Sequence, residues 1–185
     1  VWVMRGDGSG KERLTSGSVV NIAPSLSPAG ARLVFVRRRA DDRDDLFRID
    51  TDGSDLRRLT RTAVAEADPA WSPAGGLIAL SAGRAPGSFE IAVLEPDGTG
   101  RRRLTRNGVD DLDPDWAPGG RRLAFTRLLG GTNAEIYVVG AGGKGLRRLT
   151  ERPGADDSPD WSSRGWIAYV RRLAGGSEIR AVRRD

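Results

Sequence analysis

The side chains of this 185-residue chain that could do chemistry are its carboxylates. The chain has no His and no Cys, so it offers neither Ser-His-Asp nor Cys-His nucleophilic catalysis, nor His- or thiolate-ligated zinc. It also lacks a Gly-x-Ser-x-Gly nucleophile elbow. The acids fall in three groups: Glu66 and Asp68; Asp110, Asp111 and Asp113; and Asp156 and Asp157. Each group stands just ahead of a proline, at Pro69, Pro114 or Pro159. Carboxylates brought together in this way form a negative funnel. Such a funnel could hold a hard cation through oxygen ligands, calcium being the ion to consider and Asp68 and Asp113 its first ligands. It could equally receive a basic side chain from a protein or peptide partner. The plainer alternative is that these are polar loop residues, with Asp beside Pro starting a turn. No catalytic residue is assigned, the chain is expected not to be an enzyme, and calcium apart no cofactor is expected.

The elements that must position these acids recur along the chain. Pro24, Pro69, Pro114 and Pro159 are spaced by 45 residues, as are Gly8, Gly53, Gly98 and Gly143. The same step separates Leu14-Thr15, Leu59-Thr60, Leu104-Thr105 and Leu149-Thr150. A fixed period of roughly 40–45 residues with about four short strands per unit predicts an all-β fold, a β-propeller of four-stranded antiparallel blades. The innermost strand carries Asp68-Pro69-Ala70-Trp71, Asp113-Pro114-Asp115-Trp116 or Ser158-Pro159-Asp160-Trp161, with Leu26 in place of Trp in the first copy. The second strand is apolar on both faces, as in Leu33-Val34-Phe35-Val36 and Leu77-Ile78-Ala79-Leu80, which suits a strand buried on both sides. The third follows an acid (Asp45, Glu90, Glu135 or Glu178), and the fourth is the Arg-Arg-Leu-Thr segment. As the outermost strand, it would use its arginines to discourage edge-to-edge aggregation. Asp-Gly and Gly-Gly pairs between strands read as hairpin turns. This includes residues 6–11, where a phosphate loop would need Gly in place of Arg5.

In a propeller the first strand lines the channel, so the acidic connections are expected at the channel mouth. The loops between second and third strands, residues 37–45, 84–88, 127–133 and 171–177, are expected on the same face.

Net charge is +5, and all but two of the 30 basic residues are Arg. They recur before each Leu-Thr pair and do not form a stripe, so no nucleic acid is expected as partner. No apolar run reaches the roughly 18–20 residues of a membrane-spanning helix, and no membrane insertion is expected.

The order Pro-x-Trp-Ser-Pro-x-Gly, Ile-Ala-Leu/Phe, Glu-Ile-x-Val, Asp-Gly, Arg-Arg-Leu-Thr resembles the WD-like repeat of TolB-type β-propellers along essentially the whole chain. That resemblance implies a non-enzymatic scaffold that binds proteins or peptides in the bacterial cell envelope, in a periplasmic or extracytoplasmic place. Similar repeats also build the gating propellers of serine peptidases of the prolyl-oligopeptidase kind. In that alternative the nucleophile lies on a domain outside these residues.

Counting strands gives residues 1–15 as the last two strands of a blade, blades at 22–60, 67–105 and 112–150, and three strands of a final blade at 157–185. Six-bladed closure, usual for the resembled family, would need roughly six such units. The expectation is an incomplete arc of about four blades from a larger propeller. Its open blade faces would favour self-association.

Overall fold

A computed structural model describes residues 1–39, 43–84, 87–130, 132–152 and 154–183. Every regular element among them is a β-strand. A two-stranded unit, β1 (Trp2–Val3) and β2 (Glu12–Arg13), comes first. The first full blade is β3 (Asn21–Leu26), β4 (Arg32–Arg37), β5 (Asp45–Asp50) and β6 (Arg57–Arg58), hydrogen-bonded in that order. The second is β7 (Ala65–Trp71), β8 (Ile78–Gly83), β9 (Glu90–Leu94) and β10 (Arg102–Arg103). The third is β11 (Asp111–Trp116), β12 (Arg122–Gly130), β13 (Asn133–Gly140) and β14 (Arg147–Arg148). The fourth blade comprises β15 (Ala155–Trp161), β16 (Trp166–Leu173) and β17 (Gly176–Arg183), and the set forms an open arc.

Segments 127–133 and 171–177, expected as loops, are largely strand. The ladders run on through Leu128↔Ala134 and Arg172↔Ser177, so each connection closes as a hairpin. Of the charged loop 37–45, Ala40, Asp41 and Asp42 lie outside the described residues, as do Ala85 and Pro86 of 84–88 and Gly131 of 127–133.

Blade packs on blade through apolar faces. Val34, Val36 and Leu46 of the first blade meet Trp71, Ile78 and Leu80 of the second. Ala79, Ile91 and Val93 meet Trp116, Leu123 and Phe125, and Ala124, Ile136 and Val138 meet Trp161, Ile167 and Tyr169. The three tryptophans are thus equivalent wedges, each buried. Leu26, at the same position in the first blade, is half exposed. The β1–β2 unit covers Leu33, Phe35 and Ile49 with Val1 and Val3.

A buried polar latch repeats within each of the first three blades. The Leu-Thr hydroxyl accepts from the first apolar residue of the third strand: Leu46 N to Thr60 Oγ1 (3.0 Å), Ile91 N to Thr105 Oγ1 (2.9 Å), Ile136 N to Thr150 Oγ1 (3.0 Å). It donates in turn to a buried carboxylate, Glu90 or Glu135. In the first blade the acid at this place is Asp45, one methylene shorter. There Thr60 donates to Glu66 of the next blade instead. The second arginine of the outer strand belongs to the same latch: Arg58 pairs with Asp45 at 2.7 Å and Arg148 with Glu135 at 2.6 Å. The Arg pairs therefore do more than guard an edge. One member of each of these two pairs compensates a buried acid, whose ionised form would otherwise be costly.

Candidate functional site

Each inner strand is broken at the same place. The register of β3, β7, β11 and β15 against its neighbour shifts between Ile22 and Ser25, Ala67 and Ala70, Leu112 and Asp115, and Asp157 and Asp160. Within each bulge the residue before proline adopts a left-handed conformation, with φ of 49° at Ala23, 50° at Asp68, 51° at Asp113 and 54° at Ser158. A residue before proline ordinarily stays extended, and a non-glycine residue in this region costs roughly 1–2 kcal/mol. Asp tolerates it better than most. The bulge takes two residues out of the ladder, and these line an open channel of about 410 Å³ that Asp115 and Asp160 also border.

The seven acids expected at the mouth separate into two sets. Glu66, Asp111 and Asp156 are buried, each paired with an arginine of its own blade. Glu66 accepts from Arg101 Nη1 (2.6 Å) and from Thr60, Asp111 from Arg127 Nε (2.7 Å) and Nη2 (2.8 Å), and Asp156 from Arg171 Nε (2.6 Å) and Nη2. Burial pushes the Glu66 carboxyl up, against the opposing pull of Thr60 and Arg101. Asp110 accepts from Phe89 N at 2.9 Å and holds the preceding blade's loop.

Asp68, Asp113 and Asp157 form the other set. Asp68 Oδ2 accepts from Ser81 Oγ at 3.3 Å and Asp113 N at 3.4 Å, and Asp113 Oδ2 accepts from Thr126 Oγ1 at 3.4 Å. These long bonds compensate burial weakly. Burial raises the Asp68 carboxyl above its ordinary value. Asp113 is pushed up to about 6, by burial first and then by the charges of Asp68 and Asp157. Asp157 pairs with the exposed guanidinium of Arg172. Asp115, which sequence reasoning left out of the site, borders the channel, accepts from Trp161 N and is also raised by burial. Its place two residues after Asp113, in the Pro-x-Trp motif, was the available signal.

A second cavity of about 400 Å³ opens between the third and fourth blades. Asp113, Asp157 and Arg172 supply its charge, and Leu112, Leu128, Ala134 and Ala155 its apolar wall. Asn133 lies on this wall, and its buried Oδ1 has no hydrogen-bond partner among the described residues. Asp113 thus faces both spaces. Among the described residues no group of three or more acids is placed to hold a metal ion. Asp68 and Asp113 alone fall short of the six to eight oxygens calcium prefers.

The sequence family described as TolB beta propeller domain matches residues 1–127. The chain belongs to this family. Among solved structures it is similar to a protein described as a TolB of Agrobacterium tumefaciens, at 22% identity and a TM-score of 0.81, over 96% of this chain and 67% of that one. It is similar to TolB from Acinetobacter baumannii at 21% identity and a TM-score of 0.82, over 98% of this chain and 45% of that one. A prolyl endopeptidase shares the fold at 15% identity and a TM-score of 0.72, over 98% of this chain and 30% of its own length. The chain therefore spans about two thirds of the first TolB structure and less than half of the second. No curated protein matches it in sequence.

Proposed function

We propose that this chain is a non-enzymatic binding scaffold of the bacterial cell envelope whose acid-lined channel mouth receives a basic side chain from a protein or peptide partner. The observation that carries this reading is the cavity between the third and fourth blades. It joins an apolar wall at Leu112 and Leu128 to the weakly compensated carboxyl of Asp113 and the unpartnered acceptor of Asn133. An Arg or Lys side chain has this division, an apolar stem and a cationic donor head. A bound cation would also relieve the repulsion among Asp68, Asp113 and Asp157. Of the other acids, Glu66, Asp111 and Asp156 are engaged in buried ion pairs of the blade framework and Asp110 holds a loop. Membership of the TolB propeller family supports a periplasmic or extracytoplasmic place. The exposed apolar residues Trp2 and Met4 at one end of the arc and Ile179 at the other favour self-association as well.

Titration calorimetry with arginine-containing peptides, and separately with calcium, tests this reading. Peptide binding should weaken at least about tenfold when Asp68→Asn and Asp113→Asn are combined. Binding that survives the double substitution unchanged places the site elsewhere.

The likeness to a prolyl endopeptidase favours one second reading, a propeller that gates a hydrolase domain. Neither reading gives this chain a nucleophile and base of its own. Turnover of ester or peptide substrates by the purified chain would contradict both.

A further inference from the structure

The positions that line the cavity between the third and fourth blades recur at 45-residue steps between the earlier blades, so the interfaces can be compared residue by residue. Each combines a residue before proline, two wall positions on the same blade, and a residue at the entry of the next blade's inner strand. Between the first and second blades the residue before proline is Ala23, which offers no carboxyl. The walls there are Ile22 and Arg38, and the entry residue is Ala65.

Between the second and third blades the residue before proline is Asp68, the walls are Ala67 and Gly83, and the entry residue is Asp110. Asp110 is buried and ties the two blades together: its Oδ1 accepts from Phe89 N at 2.9 Å and its carbonyl from Leu128 N at 2.9 Å. A Cβ on Gly83 would lie 2.7 Å from Phe89 N, so no side chain extends from that wall. Between the third and fourth blades Asp113 precedes proline, the walls are Leu112 and Leu128, and the entry residue is Ala155. Ala155 pairs with Ala134 main chain to main chain, as a parallel bridge. It places a methyl where Asp110 places a carboxylate, and it borders the cavity together with Leu112, Asp113, Leu128 and Ala134. Among the described blades this interface alone joins a carboxyl before proline, two aliphatic walls and a small entry residue.

We infer that Ala155 is the specificity-determining residue of this cavity: its small side chain opens the interface between the third and fourth blades to a partner's basic side chain, and the aspartate at the same position closes the preceding interface. The inference rests on the function proposed above and adds the point of entry and the reason one interface is used. The stem of the basic side chain passes Ala155 and lies along Leu112 and Leu128, and its head reaches Asp113. Such a side chain buries its methylenes and keeps its charge paired. Asp68 offers a comparable carboxyl, but Asp110 occupies the entry beside it and no aliphatic wall faces it. One chain therefore takes one basic side chain. A large residue at position 155 fills the passage, whereas a small hydroxyl leaves it open.

The test is titration calorimetry of the 185-residue chain with an arginine-containing peptide. The parent should bind one peptide per chain. Ala155→Leu should weaken binding at least about tenfold and Ala155→Ser less than about twofold, with both thermal midpoints near that of the parent. Should the Leu variant fail to fold, a second measurement carries the test. The chain has no Cys, so Ala155→Cys supplies a single thiol. That thiol should react faster with a cationic than with a neutral methanethiosulfonate reagent of similar size, because the carboxyl beside it concentrates cations. The preference should fall when Asp113→Asn is added, and the peptide should protect the thiol. Unchanged affinity in Ala155→Leu, equal losses in the Leu and Ser variants, or a thiol that bound peptide leaves unprotected each overturn the inference. If Asp68→Asn with Asp113→Asn still abolishes binding in those cases, the proposed channel site stands without it. A parent that binds no peptide overturns both.

Discussion

Replacing Asp113 with Asn should stabilise the chain at neutral pH and do much less in mild acid. Asn is close in shape, tolerates the left-handed backbone at φ 51°, and can still accept from Thr126. Its amide can also donate toward Asp68 Oδ2, where two carboxylates now repel. The sign follows from linkage. A carboxyl held at about 6 in the fold against 3.8 ordinarily binds more protons folded than unfolded between those values. Stability is therefore highest below about pH 4, falls as pH rises through the window, and is fully reduced above about 6. At 1.36 kcal/mol per pH unit the full effect is about 3 kcal/mol. Solvent access through the open channel reduces this to about 2 kcal/mol. Urea denaturation followed by Trp fluorescence, at pH 4.5 and 7.5 and one ionic strength, measures it. The variant should exceed the parent by about 1–2 kcal/mol at pH 7.5 and by only about a third of that at pH 4.5. Equal destabilisation at both values would refute the reasoning, because it would make Asp113 a structural hydrogen-bond acceptor and not a strained charge.

Three further outcomes are expected, each readable by the same denaturation assay. Thr150→Val should cost about 3 kcal/mol, because it leaves the Ile136 amide and one Glu135 oxygen without their partner. Thr150→Ser should cost less than half of that. Trp116→Ala should cost about 3–5 kcal/mol, since this buried wedge holds the second and third blades together. Gly98→Ala should be clearly worse than Gly53→Ala. Both glycines have a positive φ, but a methyl at Gly98 would lie 2.2 Å from the Leu59 carbonyl oxygen, whereas one at Gly53 meets nothing within 4 Å. The first should exceed about 2 kcal/mol and the second stay near 1 kcal/mol.

The blades were legible because their signals are local and repeated. Pro, Trp, Asp-Gly and Leu-Thr each recur at 45 residues, and each corresponds to a strand or turn found in the structure. The division of the acids was not legible. Glu66 and Asp68 are two apart and would share a face on a regular strand. The bulge at Asp68-Pro69 sends them to different places, and the usual preference of a residue before proline argues against that bend. A signal was nonetheless present in the repeats. Asp111 and Asp156 each face an arginine at the end of the second strand, Arg127 and Arg171, which lies over an aromatic ring at Phe125 or Tyr169. In the first blade Arg37 lies over Phe47 and bonds the neutral Asn21. In the second blade the corresponding positions are Leu80, Ala82 and Ala92, and Glu66, left without an arginine on the neighbouring strand, reaches Arg101. That joint change marks Glu66, Asp111 and Asp156 as parts of the blade framework. Asp68 and Asp113 share only a hydroxyl at the matching place of the second strand, Ser81 or Thr126, and the rest of their surroundings depends on contacts between blades.

The measurement that bears most directly on the proposed channel site is the titration of Asp113 by carbon-13 NMR of its side-chain carboxyl, with and without a saturating arginine-containing peptide. In the free chain Asp113 should titrate near pH 6. With the peptide bound, a cation at the carboxyl should bring it well below that value, and affinity should rise correspondingly as pH increases through the same range. A peptide that binds and leaves the Asp113 titration unmoved would contradict the account.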